Sequence, residues 1–129
     1  MRTGVILFFS FLIVLSKFSD CYTTQKGIER TGVHGEQNIL MRRFMLRFGH
    51  VKTIWAVFLI VFLIVSFVSL YVIEYAGIVE TAAFIIFSII ISTIHFGVAV
   101  NNHQGRRNWI TKKLEKIVNY INLLNSGRR

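Results

Sequence analysis

Residues 54–73, IWAVFLIVFLIVSFVSLYVI, run for 20 positions without a charge. At 1.5 Å rise per residue, a helix of that length covers the roughly 30 Å hydrocarbon thickness of a bilayer. Fifteen of the residues are Ile, Val, Leu or Phe, and at about −0.3 to −0.6 kcal/mol each their insertion free energies sum to roughly −5 to −9 kcal/mol as an upper bound. Many are β-branched or aromatic and would favour strands in water. In lipid, a lone span must satisfy its own backbone hydrogen bonds, and only a helix does so. Trp55 at the start, with Tyr71 and Tyr75 at the end, stand where aromatic rings mark the two interfaces.

A second block, residues 82–100, is also long enough to span, and carries Ser88, Ser92, Thr93 and His95 among its apolar positions. Only eight residues, 74–81, separate the two blocks, too few for a folded domain. The pattern predicts an antiparallel transmembrane helical hairpin over residues 54–100. With 53% hydrophobic and 16% charged residues and no proline in 129, the rest of the chain holds no stretch able to form a sizeable soluble core. The expected class is an all-α membrane protein.

Charge asymmetry orients the hairpin. Arg42, Arg43, Arg47 and Lys52 precede it, Arg106, Arg107, Lys112, Lys113 and Lys116 follow it, and the connection holds Glu74 and Glu80 with no basic residue. Basic residues in short flanks are retained on the cytoplasmic side, which places both arms in the cytosol and the acidic turn outside. The net charge of +9 points in a membrane protein to anionic headgroups or an acidic partner rather than to nucleic acid.

Residues 1–21 pull the other way. A basic start, a 12-residue apolar core interrupted by Lys17, and small residues at Ser19 and Cys21 follow a signal-peptide pattern. Cleavage there would leave a two-span chain with its basic arms on the lumenal or exterior side. Retention as a short, tilted signal-anchor helix with its N-terminus outside would obey the charge rule and give three spans. The charge bias involves more residues and favours retention. Cys21, the single cysteine, has no intramolecular disulfide partner; as a residue beside a processing site it needs no chemistry, and its sharper roles are an intermolecular disulfide or palmitoylation.

An ionisable side chain inside a span marks a functional position, so His95 stands out. At 100 degrees per residue, Thr81, Ser88, Ser92, His95, Ala99 and Asn102 lie within about 80 degrees of one another. This small and polar stripe is expected to face protein, where small residues admit close approach and polar ones bond across helices. Ser66 lies near the depth of Ser88 and is expected to pair with it across the hairpin. His95 finds no polar residue at its level in residues 54–73, which leaves its own helix, interfacial water, a second copy or the first block as its partner. Snorkelling to the headgroups five residues away is the plainer reading.

Both flanks are amphipathic. Ile110, Leu114, Ile117, Ile121 and Leu124 recur at helical spacing beside Lys112, Lys113 and Lys116, with Trp109 near the start; this predicts a basic C-terminal helix lying in the interface. Leu40, Met41, Phe44, Met45 and Phe48 repeat the device beside Arg42, Arg43 and Arg47, and Gly49 breaks it before the span. The polar, glycine-bearing residues 22–38 read as a flexible linker. The chain thus divides into a signal peptide or anchor (1–21), a linker and basic arm (22–53), the hairpin (54–100) and a basic tail (101–129).

No catalytic constellation, metal-ligand spacing or cofactor motif is present in the sequence. The expectation is a non-enzymatic, multi-span integral protein of the secretory pathway or plasma membrane, without cofactor. It would act as an accessory or regulatory subunit through its polar stripe and basic arms, bound to another membrane protein or to itself. The alternatives are a homo-oligomeric pore of the holin or viroporin kind, with the stripe lining a lumen, and a membrane-shaping hairpin whose arms insert into one leaflet.

Overall fold

The computed structural model describes residues 1–36 and 38–104. They form four α-helices in chain order: α1 (Arg2–Thr31), α2 (Ile39–Phe48), α3 (His50–Tyr75) and α4 (Ile78–Gln104), with a 3-10 turn at Val33–Gly35. Three of them, α1, α3 and α4, are long and apolar enough to cross a membrane. At 1.5 Å per residue they reach about 45, 39 and 40 Å, so each exceeds the hydrocarbon core.

The two central helices extend past the predicted span ends. Only Ala76 and Gly77 lie between α3 and α4, because Glu74, Tyr75 and Glu80 continue helical turns at the interface rather than forming a loop. The two are antiparallel neighbours in sequence but barely touch in space. Their common partner is α1, which packs on both. The closed hairpin expected over 54–100 is therefore opened by the N-terminal helix.

Bonds between helices fix the directions. The Arg2 guanidinium donates to the carbonyls of Val72 (3.0 Å) and Ile73 (2.7 Å), and the Trp55 indole donates to Gln25 Oε1 (2.9 Å). These put the start of α1 beside the end of α3, so α1 and α3 are antiparallel. Thr24 accepts from Asn102 Nδ2 at 2.9 Å, near the C-terminal ends of both α1 and α4, which run parallel. The Arg2 bonds also satisfy carbonyls in the last turn of α3 that helix geometry leaves open.

Residues 22–31 belong to α1 rather than to a linker. Gln25 and Lys26 each bond Glu29 within the helix (2.9 and 3.1 Å), and Thr31 Oγ1 donates to the Gly27 carbonyl. Packing adds to these local bonds: Ile28 is buried with Cys21, Met45 and Ile54 where α1, α2 and α3 meet. The helix stops at Gly32, whose φ of 78° is reached without strain only by glycine.

Asn38 starts α2, its side-chain oxygen accepting from the backbone N–H of Leu40 and Met41. Met41 and Met45, four apart, turn one face of α2 onto this junction, while Arg43, Phe44, Arg47 and Phe48 stay exposed. Gly49, at φ 88°, then redirects the chain into α3.

Candidate functional site

A polar seam runs along α1 where it meets the other two spans. Near the middle, the Ser10 and Ser69 hydroxyls lie 2.6 Å apart. Each also lies within bonding distance of the carbonyl four residues back on its own helix, Ile6 for Ser10 (2.7 Å) and Val65 for Ser69 (2.6 Å). Two hydroxyl protons serve three contacts, so one serine donates across the interface while the other bonds its own backbone.

On the α4 side, Ser16 is completely buried. Its hydroxyl donates to the Ile13 carbonyl at 2.8 Å. With that bond made, its oxygen is the acceptor for the His95 tautomer that carries its proton on Nδ1, 3.4 Å away. The partner of His95 is thus the first block. One turn on, Lys17 Nζ meets Asp20 Oδ2 at 2.8 Å with both side chains largely covered, 15% and 13% exposed. The other carboxylate oxygen of Asp20 accepts from Thr24 at 3.4 Å. Lys17 lies fifteen residues, about 22 Å, along α1 from Arg2, which puts this ion pair within the span rather than at its edge.

The polar stripe of α4 lies in this seam in part. Ser88, Ser92 and Ala99 are buried, and His95 and Asn102 are half-buried with Ser16 and Thr24 of α1 as their partners. Ser88 bonds the Phe84 carbonyl, and the Ser92 hydroxyl is buried without a hydrogen-bond partner among the described residues. Ser66 is not brought to Ser88. It donates to the Phe62 carbonyl, and the residue that bonds across is Ser69, three positions later and directed at α1. The expected pair fails because it assumes direct contact between α3 and α4.

Cys21 is 3% exposed, its thiol directed at the Ile54 carbonyl 3.8 Å away, which removes it from a disulfide partner or an acyl donor while α1 is packed. Of the surface residues singled out, Arg43, Arg47 and Lys52 are exposed and Arg42 is half-buried. The Arg47 guanidinium lies 5.2 Å from the Phe48 ring centre, so charge and aromatic surface stand together on the outer face of α2. Arg106, Arg107, Trp109, Lys112, Lys113 and Lys116, with the basic amphipathic tail they define, lie outside the described residues.

Arg2, Ser10, Ser16, Lys17, Asp20 and Ser69 do not stand out in the one-dimensional pattern, where Lys17 is only an interruption of a signal-peptide core. The signal was available: Lys17 and Asp20 are three apart, neighbours on a helix face, and an ionisable residue in a span marks function. The seam can join helices and bury a charge pair; among the described residues no three His, Cys, Asp or Glu side chains are gathered to hold a metal. Comparison of the chain with protein-family models, with curated proteins and with solved structures gives no match.

Proposed function

We propose that this chain is a non-enzymatic three-span protein serving as an accessory or regulatory subunit of a membrane complex. α1 is retained as a signal anchor, because cleavage after Cys21 would remove most of the helix on which α3 and α4 both pack. The N-terminus and the acidic turn then face the exterior, and α2 and the residues after α4 face the cytosol. On that side each exposed cation of α2 contributes about 1 kcal/mol of attraction to anionic lipid, which ties the bundle to one leaflet.

The observation that carries this reading is that the spans bond polar side chains to one another within a single chain, Ser10 with Ser69, Ser16 with His95 and Thr24 with Asn102. An ion pathway needs such groups on a lumen. Here the outer surface presents Leu59, Leu63, Phe67 and Leu70, a surface for lipid or for a neighbouring helix held by close packing.

Two measurements test the subunit reading. The protein in mild detergent is expected at the mass of one chain, 14.9 kDa, after subtraction of bound detergent, and dye-loaded vesicles containing it are expected to keep their dye. A photocrosslinking residue at Leu63 in native membranes should give one discrete adduct with a different polypeptide. A multimer that releases dye would replace this reading with the pore, and Leu63 adducts to lipid alone would remove the partner.

A further inference from the structure

Because α1 holds α3 and α4 apart, a groove of about 380 Å³ opens between them, with Ile13 of α1 and Ser88 of α4 among its lining residues. Its walls are apolar, including Ile64 and Val68 from α3 and Phe87 and Ile91 from α4. Lining residues on α4 run from Glu80 to Ile91, eleven residues or about 16 Å along the axis, which is close to half of the hydrocarbon core. The volume falls within the roughly 300–1,000 Å³ of ordinary ligand sites. Ile64, Val68 and Phe87 are exposed, so in a bilayer the medium that meets this groove is acyl chain.

The mouth of the groove has its own chemistry. Glu80, in the first turn of α4, and Tyr71, near the end of α3, line it at the turn end. Tyr75 lies against Tyr71 with ring centres 5.6 Å apart. The Glu80 carboxylate folds toward the turn, close enough to Gly77 that a Cβ there would meet Oε2 at 2.8 Å. Among the described residues no lysine or arginine lines the groove, although the Arg2 guanidinium stands at the same end, on the Val72 and Ile73 carbonyls. A carboxylate and a tyrosine ring lining one mouth offer the recognition chemistry of a quaternary ammonium group, and a cation at this mouth sits at headgroup depth.

We propose that the groove is a lipid site that takes one acyl chain of a choline-headed lipid from the leaflet on the turn side, with the trimethylammonium group against Tyr71 and Glu80. The site faces the leaflet opposite the cationic α2, so the protein selects a different headgroup at each surface. The proposal rests on the assignment of the three spans and not on the subunit role, which mass and dye release test separately.

The test uses the full-length protein in vesicles of equal phosphatidylcholine and phosphatidylglycerol, with trace spin-labelled lipid of either kind. The slowly exchanging spectral component is expected to favour phosphatidylcholine by about threefold, the ratio that a cation–π contact at an exposed site supplies. Tyr71→Leu, at an exposed position, should remove the preference while keeping the helices folded, Glu80→Gln should reduce it, and Val68→Trp should abolish it by filling the groove. Equal retention of both headgroups, or a headgroup preference that survives Val68→Trp, overturns the proposal. A photocrosslinker at Phe87 should join lipid; an adduct with a polypeptide, whether a partner or a second copy of this chain, also overturns it.

Discussion

Asp20→Ala is expected to lower the stability of the helical bundle by about 3 kcal/mol, the cost of leaving one partner of a buried ion pair uncompensated. Among the described residues the carboxylate is the one anion bonded to Lys17, at 2.8 Å, and both side chains are largely covered. Without it, the ammonium must lose its proton, recruit water, or bend its stem toward the nearer headgroups and disturb the α1–α4 contact. Thr24, which donates to the other oxygen of Asp20 and accepts from Asn102, loses one of its two side-chain contacts. Removing both charges together behaves differently. Lys17→Met with Asp20→Leu should return stability to within about 1 kcal/mol of the parent, since apolar residues of similar volume replace a buried pair without loss. Reversible unfolding in mixed micelles measures the cycle. Equal stability of Asp20→Ala and the parent would mean that the pair is solvated and contributes nothing to the bundle.

The second large effect is steric. Ser16→Phe should separate α4 from α1, at a cost of about 1–3 kcal/mol for overpacking and roughly 0.6 kcal/mol for the lost interhelical bond to His95. Ser16 has no exposed surface, and α4 meets it with the small side chains of Ser92 and Ala99 nearby on the same face. The consequence is larger than the energy alone suggests. α4 has little contact with α3 and is held to the bundle by α1 and a two-residue turn. Displacing it from α1 therefore frees the whole helix. Spin labels at the exposed positions Leu63 and Ile90 report the α3–α4 separation, whose distribution should broaden in Ser16→Phe. An unchanged narrow distribution would show that α3 and α4 hold each other without α1.

Much of the architecture can be read from the sequence, and the gaps have physical causes. The uncharged run from Ile54 and the polar-stippled run to Val100 announce two spans, because the length of apolar sequence needed is set by the bilayer. The end of α2 is written in Gly49, the residue able to take φ 88° there without strain. What the one-dimensional pattern does not encode is which span packs against which. Ser66 and Ser88 share a depth, and depth alone implies a pair; the intervening α1 sends Ser69 to Ser10 instead. Lys17 was decisive for the same reason. Seen along the chain it shortens an apolar core, whereas on a helix its charge is met three residues later by Asp20. The stripe of α4 was legible as a face but not as a site, since its periodicity says that something covers it and not that the cover comes from the same chain. Residues 22–31 read as a linker along the chain because their contacts beyond short-range polar bonds all reach helices that follow later: Thr24 with Asn102, Gln25 with Trp55, and Ile28 against Met45 and Ile54.

Cysteine pairs placed in a Cys21→Ser background test the central claim most directly, by oxidative crosslinking of the intact protein in its membrane. Ser10→Cys with Ser69→Cys should form an intramolecular disulfide rapidly, because the native hydroxyls are 2.6 Å apart, and Ser66→Cys with Ser88→Cys should not. Efficient crosslinking of the second pair with none in the first would mean that α3 and α4 close on each other directly, and that the N-terminal helix is not their common support.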